Sequence, residues 1–328
     1  MNRDKPRVHV ISLGGTIAMT GSPDTGVVPT LDAADLIEQI PELSDVAELS
    51  SESLVRVPGA SLQFGDLIAL ARRVNELADG GVDGFVVTQG TDTLEETSFF
   101  LHLLGLTHPV VFTGAMRNPA MPGSDGPANL LASVRVAADP QAASYRTVVV
   151  MNDQIHAARF VAKAHTSRVD AFRSPAVGPV GAVTESEVLW FAPPPSDVSI
   201  GMVEGDMPRV VILPVALGDD TSLVEAVISA RPDGVVVAAM GAGHVPMVLV
   251  DPLGELAART PVVLSSRVGE GRVFRSTYGF EGSEMDLLAG GLIWGGSVSP
   301  HKARIALVVA LAAGWSQDEI SRLFVDLG

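Results

Sequence analysis

The sequence predicts an α/β protein in two domains: a doubly wound, mostly parallel sheet in a larger N-terminal domain, linked to a smaller α/β C-terminal domain. Three observations lead there. Short runs rich in β-branched residues alternate with helical patterns along the chain. Several of those runs are apolar on both faces, as strands of a parallel sheet covered by helices must be. The chain of 328 residues is also longer than one hydrophobic core usually supports.

In chain order, residues 8–12, 84–88, 109–113 and 147–151 read as strands of the first domain, with a helix over 67–74. Phe85-Val86-Val87 and Val148-Val149-Val150 carry no polar face at all. Between Pro193 and Pro208 the composition shifts to Pro193-Pro194-Pro195, Ser196, Gly201 and Gly205 without periodicity, as in an interdomain linker. The predicted division is therefore 1–192, a linker at 193–208, and 209–328. Beyond the linker, residues 209–213, 234–239 and 261–265 repeat the strand pattern, with helix candidates at 222–229 and 247–258. No fixed-period repeat supports a solenoid or propeller.

Composition excludes several classes. A net charge of -16 with no run of Lys and Arg opposes phosphate backbones and anionic lipid, so neither nucleic acid nor membrane is an expected partner. The absence of cysteine removes disulfides, thiolate metal sites and a thiol nucleophile. Near the N-terminus, Arg3, Lys5 and Arg7 precede an apolar stretch broken by His9 and Ser12, which is wrong for a signal peptide and makes a cytoplasmic address the expectation. The apolar run at 305–315 is far short of the ~20 residues that span a bilayer.

Chemistry in open parallel sheets gathers beyond the carboxyl ends of strands. After the first strand, Gly14-Gly15 permit a tight turn that presents Thr16, a candidate nucleophile. Taken alone, a plain strand-to-loop turn with an incidental threonine accounts for this stretch. After the Phe85 strand comes Gly90-Thr91-Asp92-Thr93-Leu94-Glu95-Glu96-Thr97, where Asp92 with Glu95, or Thr93 with Glu96, has capping-box spacing. A helix start of this kind also offers backbone donors to an anion. After the Val148 strand, a polar loop carries Lys163 among small residues. The plain reading is a solvated charge; burial beside a threonine would instead favour a neutral amine able to take a proton from a hydroxyl. No His-Glu-x-x-His spacing, Gly-x-Ser-x-Gly elbow or phosphate loop is present, which leaves hydroxyl chemistry without metal or cofactor.

Together these stretches resemble the bacterial L-asparaginase family. The resemblance runs nearly end to end: Gly14 to Ala18, Gly90 to Thr97, Gly114-Ala115-Met116-Arg117, Ser124-Asp125-Gly126-Pro127, Val150-Met151-Asn152-Asp153, Lys163, Gly178-Pro179, Ser265-Ser266-Arg267 and Pro300 to Arg304. It implies a two-domain α/β subunit, a homo-oligomer built from intimate dimers, and hydrolysis of asparagine to aspartate and ammonia. It places Thr16 as the attacking hydroxyl and Thr91, Asp92 and Lys163 as the second hydroxyl and its proton-handling partners. Asp92 also receives the substrate's α-ammonium group, and the reacting amide lies near the backbone of Ala115 and donors such as the Thr91 N–H.

Two departures from the family pattern stand out. The loop after Thr16 lacks the family's tyrosine and offers Thr20, Ser22 and Thr25 on a glycine- and proline-containing lid. Where the family tends to hold the α-carboxylate with a polar side chain, this chain has Gly59 and Ala60, which leaves backbone N–H groups, with Gly90 alongside, or Ser61. His244, Glu281 and Glu284 fall where the family draws groups from a neighbouring subunit, although both glutamates also read as solvated loop carboxylates. The expected activity is therefore asparagine hydrolysis; a glutaminase or relaxed small-amide amidase, or an amino-acid-binding regulatory protein with weak turnover, are the alternatives. A transamidation subunit acting on charged tRNA fits the acidic charge poorly.

Overall fold

The computed structural model describes residues 5–15, 17, 19–22, 26–29 and 32–328, with backbone alone for 19–22 and 26–29. It divides into two compact units, Met1–Asp197 and Val198–Gly328.

The first unit runs β1 (Arg7–Ser12), β2 (Met19–Ser22), β3 (Gly26–Pro29), α1 (Ala33–Glu38), α2 (Leu43–Val46), β4 (Glu48–Ser53), α3 (Phe64–Asp79), β5 (Gly84–Thr88), α4 (Leu94–Leu103), β6 (Val110–Thr113) and α5 (Gly126–Ala138). It continues with β7 (Thr147–Met151), β8 (Gln154–Ala157), β9 (Ala162–Lys163), β10 (Phe172–Arg173), β11 (Gly181–Thr184) and β12 (Glu187–Trp190). Eight strands form one sheet in the order β12-β11-β8-β7-β6-β5-β1-β4. Strands β4, β1, β5, β6 and β7 are parallel, and β8, β11 and β12 extend the sheet antiparallel.

Alternation along the parallel strands sorts the core. Val8, Val10, Val86, Val111, Val148 and Val150 pack in one cluster with Leu130 and Val134 of α5. Their neighbours in sequence, including Phe85, Val87 and Phe112, point to the opposite face by the two-residue strand period and are equally buried. A strand sealed on both faces has no polar side, which is why β5 and β7 read as continuous apolar runs.

The topology also locates the site. From β1 the chain adds β4 on one side and then β5, β6 and β7 on the other, so the winding direction reverses between β1 and β5. Loops leaving the carboxyl ends of two strands at such a reversal diverge and leave a crevice between them. Those are the loops that begin at Leu13 and Gln89, and Leu13 N donates to Thr88 O at 2.8 Å where they part.

The second unit comprises β13 (Val210–Pro214), α6 (Ser222–Ala230), β14 (Gly234–Ala239), α7 (Val250–Ala257), β15 (Val262–Ser266), α8 (Glu284–Ala289), β16 (Ile293–Trp294), α9 (Pro300–Ala312) and α10 (Gln317–Leu327). Its four strands are parallel in sequential order, and every residue of β14 is buried. The apolar run at 305–315 falls largely in α9, a helix buried nearly all round. Among the described residues no helix is long and apolar enough to cross a membrane.

Candidate active site

Three glycines bring the first unit's loops together. Gly14 and Gly15 follow β1 with φ of +94° and +90°, a conformation that L side chains rarely adopt. A Cβ placed on Gly15 would lie 2.0 Å from Gly90 N, and one on Gly90 would lie 2.7 Å from Gly59 N. The backbones at 15, 90 and 59 are thus stacked without intervening side chains. Gly59 opens a 3-10 turn, Gly59–Ser61, and Thr93 Oγ1 donates to Gly59 O at 2.9 Å, fastening that turn to the loop after β5. Gly114 closes the other flank, where an added Cβ would meet Gln89 O at 2.7 Å and Thr91 Cγ2 at 3.2 Å.

On this frame sit Thr91, Asp92 and Lys163. Thr91 is buried, whereas the Asp92 side chain is 68% exposed. Lys163, in β9, reaches across 72 residues of sequence to donate from Nζ to Thr91 Oγ1 at 3.0 Å and to Asp92 Oδ1 at 2.7 Å. Its side chain is 17% exposed, so the reading as a solvated surface charge is corrected. The stretch expected to be a polar loop is instead structured. Asn152 and Asp153, both at positive φ, turn β7 directly into β8, and β9 then pairs with β10. Asn and Asp tolerate such a two-residue turn better than other non-glycine residues.

The capping pairs expected at the start of α4 do not form as read. Thr93 is the N-cap, but its side chain makes no capping bond, its hydroxyl being committed to Gly59 O. Asp92 and Glu95 both turn to Lys163: Asp92 takes the ammonium, and Glu95 Oε2 accepts the Lys163 backbone N–H at 2.6 Å. Tertiary partners have displaced the local ones.

Ala115 is buried, and a Cβ added to Gly126 would meet Ile17 Cγ1 at 3.0 Å and the Ala115 Cβ at 3.5 Å. The buried Asn129 supports this corner, donating to Gly114 O at 3.0 Å and to Asp125 Oδ2 at 3.1 Å while accepting Asn152 N at 2.9 Å. Asp125 in turn accepts the N–H groups of Met116 and Arg117. Asp125 and Asn152 stand in the sequence only as letters of the family motifs, and Asn129 gives no signal there at all, because an amide bonded to three separate segments leaves no local pattern.

Thr16 and Thr25 lie outside the described residues, and Thr20 and Ser22 belong to β2, whose side chains also lie outside them. Ala60 and Ser61 are exposed on the 3-10 turn, and Gly59 is buried. His244, Glu281 and Glu284 belong to the second unit. Glu281 is exposed, but Glu284 is fully buried, which corrects its reading as a solvated carboxylate. Glu284 Oε1 accepts the N–H groups of Thr277 at 2.9 Å and Tyr278 at 2.8 Å, and Oε2 meets His244 Nε2 at 3.2 Å. Burial pushes this carboxyl up, but the Tyr278 and Thr277 N–H donors, with His244, outweigh it and hold it below the ordinary carboxylate range. The rings of Tyr278 and Phe280 stand edge-on to His244, and both are substantially exposed. Among the described residues no cluster of three or more His, Asp or Glu has the makings of a metal site.

The molecule is thus a two-domain α/β protein whose hydroxyl, ammonium and carboxylate groups converge where the winding of a parallel sheet reverses. The chain belongs to the asparaginase family: the family model described as Asparaginase, N-terminal matches residues 7–196, and that described as Glutaminase/Asparaginase C-terminal domain matches residues 209–324. It is 38% identical to a probable L-asparaginase of Deinococcus radiodurans, with 97% of each chain covered. It is 34% identical to a glutaminase-asparaginase of Pseudomonas fluorescens biotype A, covering 97% of this chain and 89% of the relative. A solved structure titled as a probable cytoplasmic L-asparaginase from Campylobacter jejuni superposes with a TM-score of 0.89 at 31% identity, covering 98% of this chain and all of that one.

Proposed function

We propose that this chain is a metal-free amidohydrolase that converts L-asparagine to L-aspartate and ammonia through the hydroxyl of Thr16. The observation that carries the reading is Lys163 Nζ, seated between Thr91 Oγ1 and Asp92 Oδ1 on a loop that leaves the reversal point of the sheet. A lysine bonded to a buried hydroxyl and a partly exposed carboxylate forms a proton path from the interior of the site to its mouth. In this mechanism Thr16 Oγ attacks the side-chain amide carbon and its proton passes toward the leaving nitrogen. The C–N bond breaks and ammonia departs, leaving an ester of aspartate on Thr16. Water, deprotonated with the help of Thr91 and Lys163, attacks that ester and restores the Thr16 hydroxyl. Asp92, exposed at the mouth, receives the substrate's α-ammonium group by a charge-assisted contact.

Backbone groups do much of the remaining binding in this reading. The turn Gly59–Ser61, lying against Gly90, offers N–H groups and the exposed Ser61 to the α-carboxylate. The Thr91 N–H and the backbone of Ala115 flank the amide, where preorganised dipoles stabilise a developing oxyanion. Thr20, Ser22 and Thr25 would line the lid over the bound substrate. A homo-oligomer with a cytoplasmic address completes the proposal; the exposed rings of Phe274, Tyr278 and Phe280 near His244 give a second copy apolar surface to cover.

Ammonia release from asparagine, from glutamine and from a buffer blank tests the reading directly. Thr16→Ala should lower asparagine turnover by about 10⁴-fold or more while leaving the melting temperature nearly unchanged. A fully active variant would remove Thr16 from the mechanism. Turnover of glutamine alone would transfer the activity to the longer amide, since one methylene is worth only ~1 to 3 kcal/mol in a pocket. Silence on both amides, with calorimetric binding of either, would establish the amino-acid-binding alternative.

A further inference from the structure

We infer that Glu95 is a positioning residue for the reaction, setting where the Lys163 ammonium lies by holding the lysine's own backbone; the inference rests on the reading of Lys163 as the proton carrier. Lys163 is gripped at both ends by one short stretch of chain. Its Nζ meets Thr91 and Asp92, while its backbone N–H donates to Glu95 Oε2 at 2.6 Å. Thr91, Asp92 and Glu95 span a single loop and the first turn of α4, so both grips refer the lysine to the same rigid element.

This grip matters because of what β9 lacks. It is two residues long, pairs among the described residues only with the equally short β10, and is not a strand of the eight-stranded sheet. At the far side of the hairpin, Ser174 Oγ shares a hydrogen bond of 2.9 Å with His156 Nδ1 of β8. That contact fastens the β10 side to the sheet; on the β9 side, Phe160 N and Val161 N donate to Ala157 O at the end of β8, and Glu95 takes the N–H of Lys163 itself. A lysine side chain carries four rotatable bonds, so a displaced backbone lets the ammonium wander even if the side chain still finds Asp92. A glutamate here also forgoes a helix-capping role, and the charge-assisted bond to an amide 68 residues away is what it gains.

The test is steady-state asparaginase kinetics across pH on the full-length protein, with melting temperature recorded for each variant. Glu95→Ala should lower kcat about 30- to 100-fold with KM changed by less than about threefold, the scale of loss that follows a ~1 Å misplacement of a reacting group. The pH profile of kcat should change shape as well, because the carrier's surroundings change. Glu95→Gln keeps an acceptor oxygen and should return to within about threefold of the parent. In a Lys163→Met background, Glu95→Ala should add less than about twofold, since both changes disable one device. A Glu95→Ala enzyme within threefold of the parent, or losses that multiply in the double variant, would overturn the inference. Should Glu95→Ala not fold, Glu95→Asp, shorter by one methylene, carries the same expectations. The parent reading fails separately: it falls if Lys163→Met turns over normally, whereas an inactive Lys163→Met beside a fully active Glu95→Ala sinks the positioning role alone.

Discussion

Lys163 and Glu284 are both charged groups withdrawn from solvent, yet the two units treat them in opposite ways. Glu284 is completely enclosed and both of its oxygens are engaged, one by two backbone N–H groups and the other by His244. Lys163 retains some exposure and is paired with a carboxylate that is itself mostly in solvent. A charge sealed among fixed donors organises the chain around it, here the turn at 277–278 before α8. A charge held between a buried hydroxyl and an open carboxylate can exchange protons in both directions. The first arrangement fixes a turn, and the second suits the proton transfer proposed for Lys163.

Substitution should separate the two roles. The largest effect is expected from Lys163→Met, which should reduce kcat by about 10³-fold, near 4 kcal/mol of transition-state stabilisation, while urea unfolding shifts by less than about 1 kcal/mol. A variant that loses both activity and stability would erase the contrast with Glu284. Glu284→Ala should show the reverse emphasis, costing about 3 kcal/mol in unfolding free energy because two buried N–H groups and His244 lose their acceptor.

The smallest effect is one of pH. Because the folded-state pKa of Glu284 lies below its ordinary value, its contribution to stability is complete above the ordinary glutamate value of the unfolded chain and drains away as pH falls through the lower folded value. Unfolding free energy followed from neutral pH downward should therefore decline less steeply in Glu284→Gln than in the parent below that point. Equal slopes would mean that the carboxylate's charge does not contribute to holding the turn.

How much of this was legible in the sequence depends on the range of the interaction. Strands β5, β7 and β14 were predicted with the residues they have, since a run that is apolar on both faces permits little else. Strand β4, Glu-Leu-Ser-Ser-Glu-Ser, was missed because it lies at the sheet edge, half-buried, with Ser50 and Glu52 answering His9 and Arg73. Strands β8, β11 and β12 were missed too, being short pieces whose pairing is set by the sheet they join. In the site, paired glycines and the threonine after them were visible as local chemistry, but the partnership of Thr91, Asp92 and Lys163 came only from the family resemblance. Glu95 was misread for the same reason: capping is a local pattern, and its actual partner is 68 residues away. Burial of Glu284 was equally invisible, because a Gly-Phe-Glu-Gly-Ser run looks like any exposed loop until the backbone folds over it.

The stack of Gly15, Gly90 and Gly59 sets a limit on how this site can change. Most tight contacts in proteins have a second-site remedy, in which a larger residue on one side is accommodated by a smaller one opposite. Here each member already faces backbone, at distances of 2.0 to 2.9 Å from an added Cβ, so its neighbours have nothing left to shed. The three positions form a joint with no compensating route: one added methyl at any of them moves the main chain that frames the proposed site, and the repair would have to be a new path for the loops themselves.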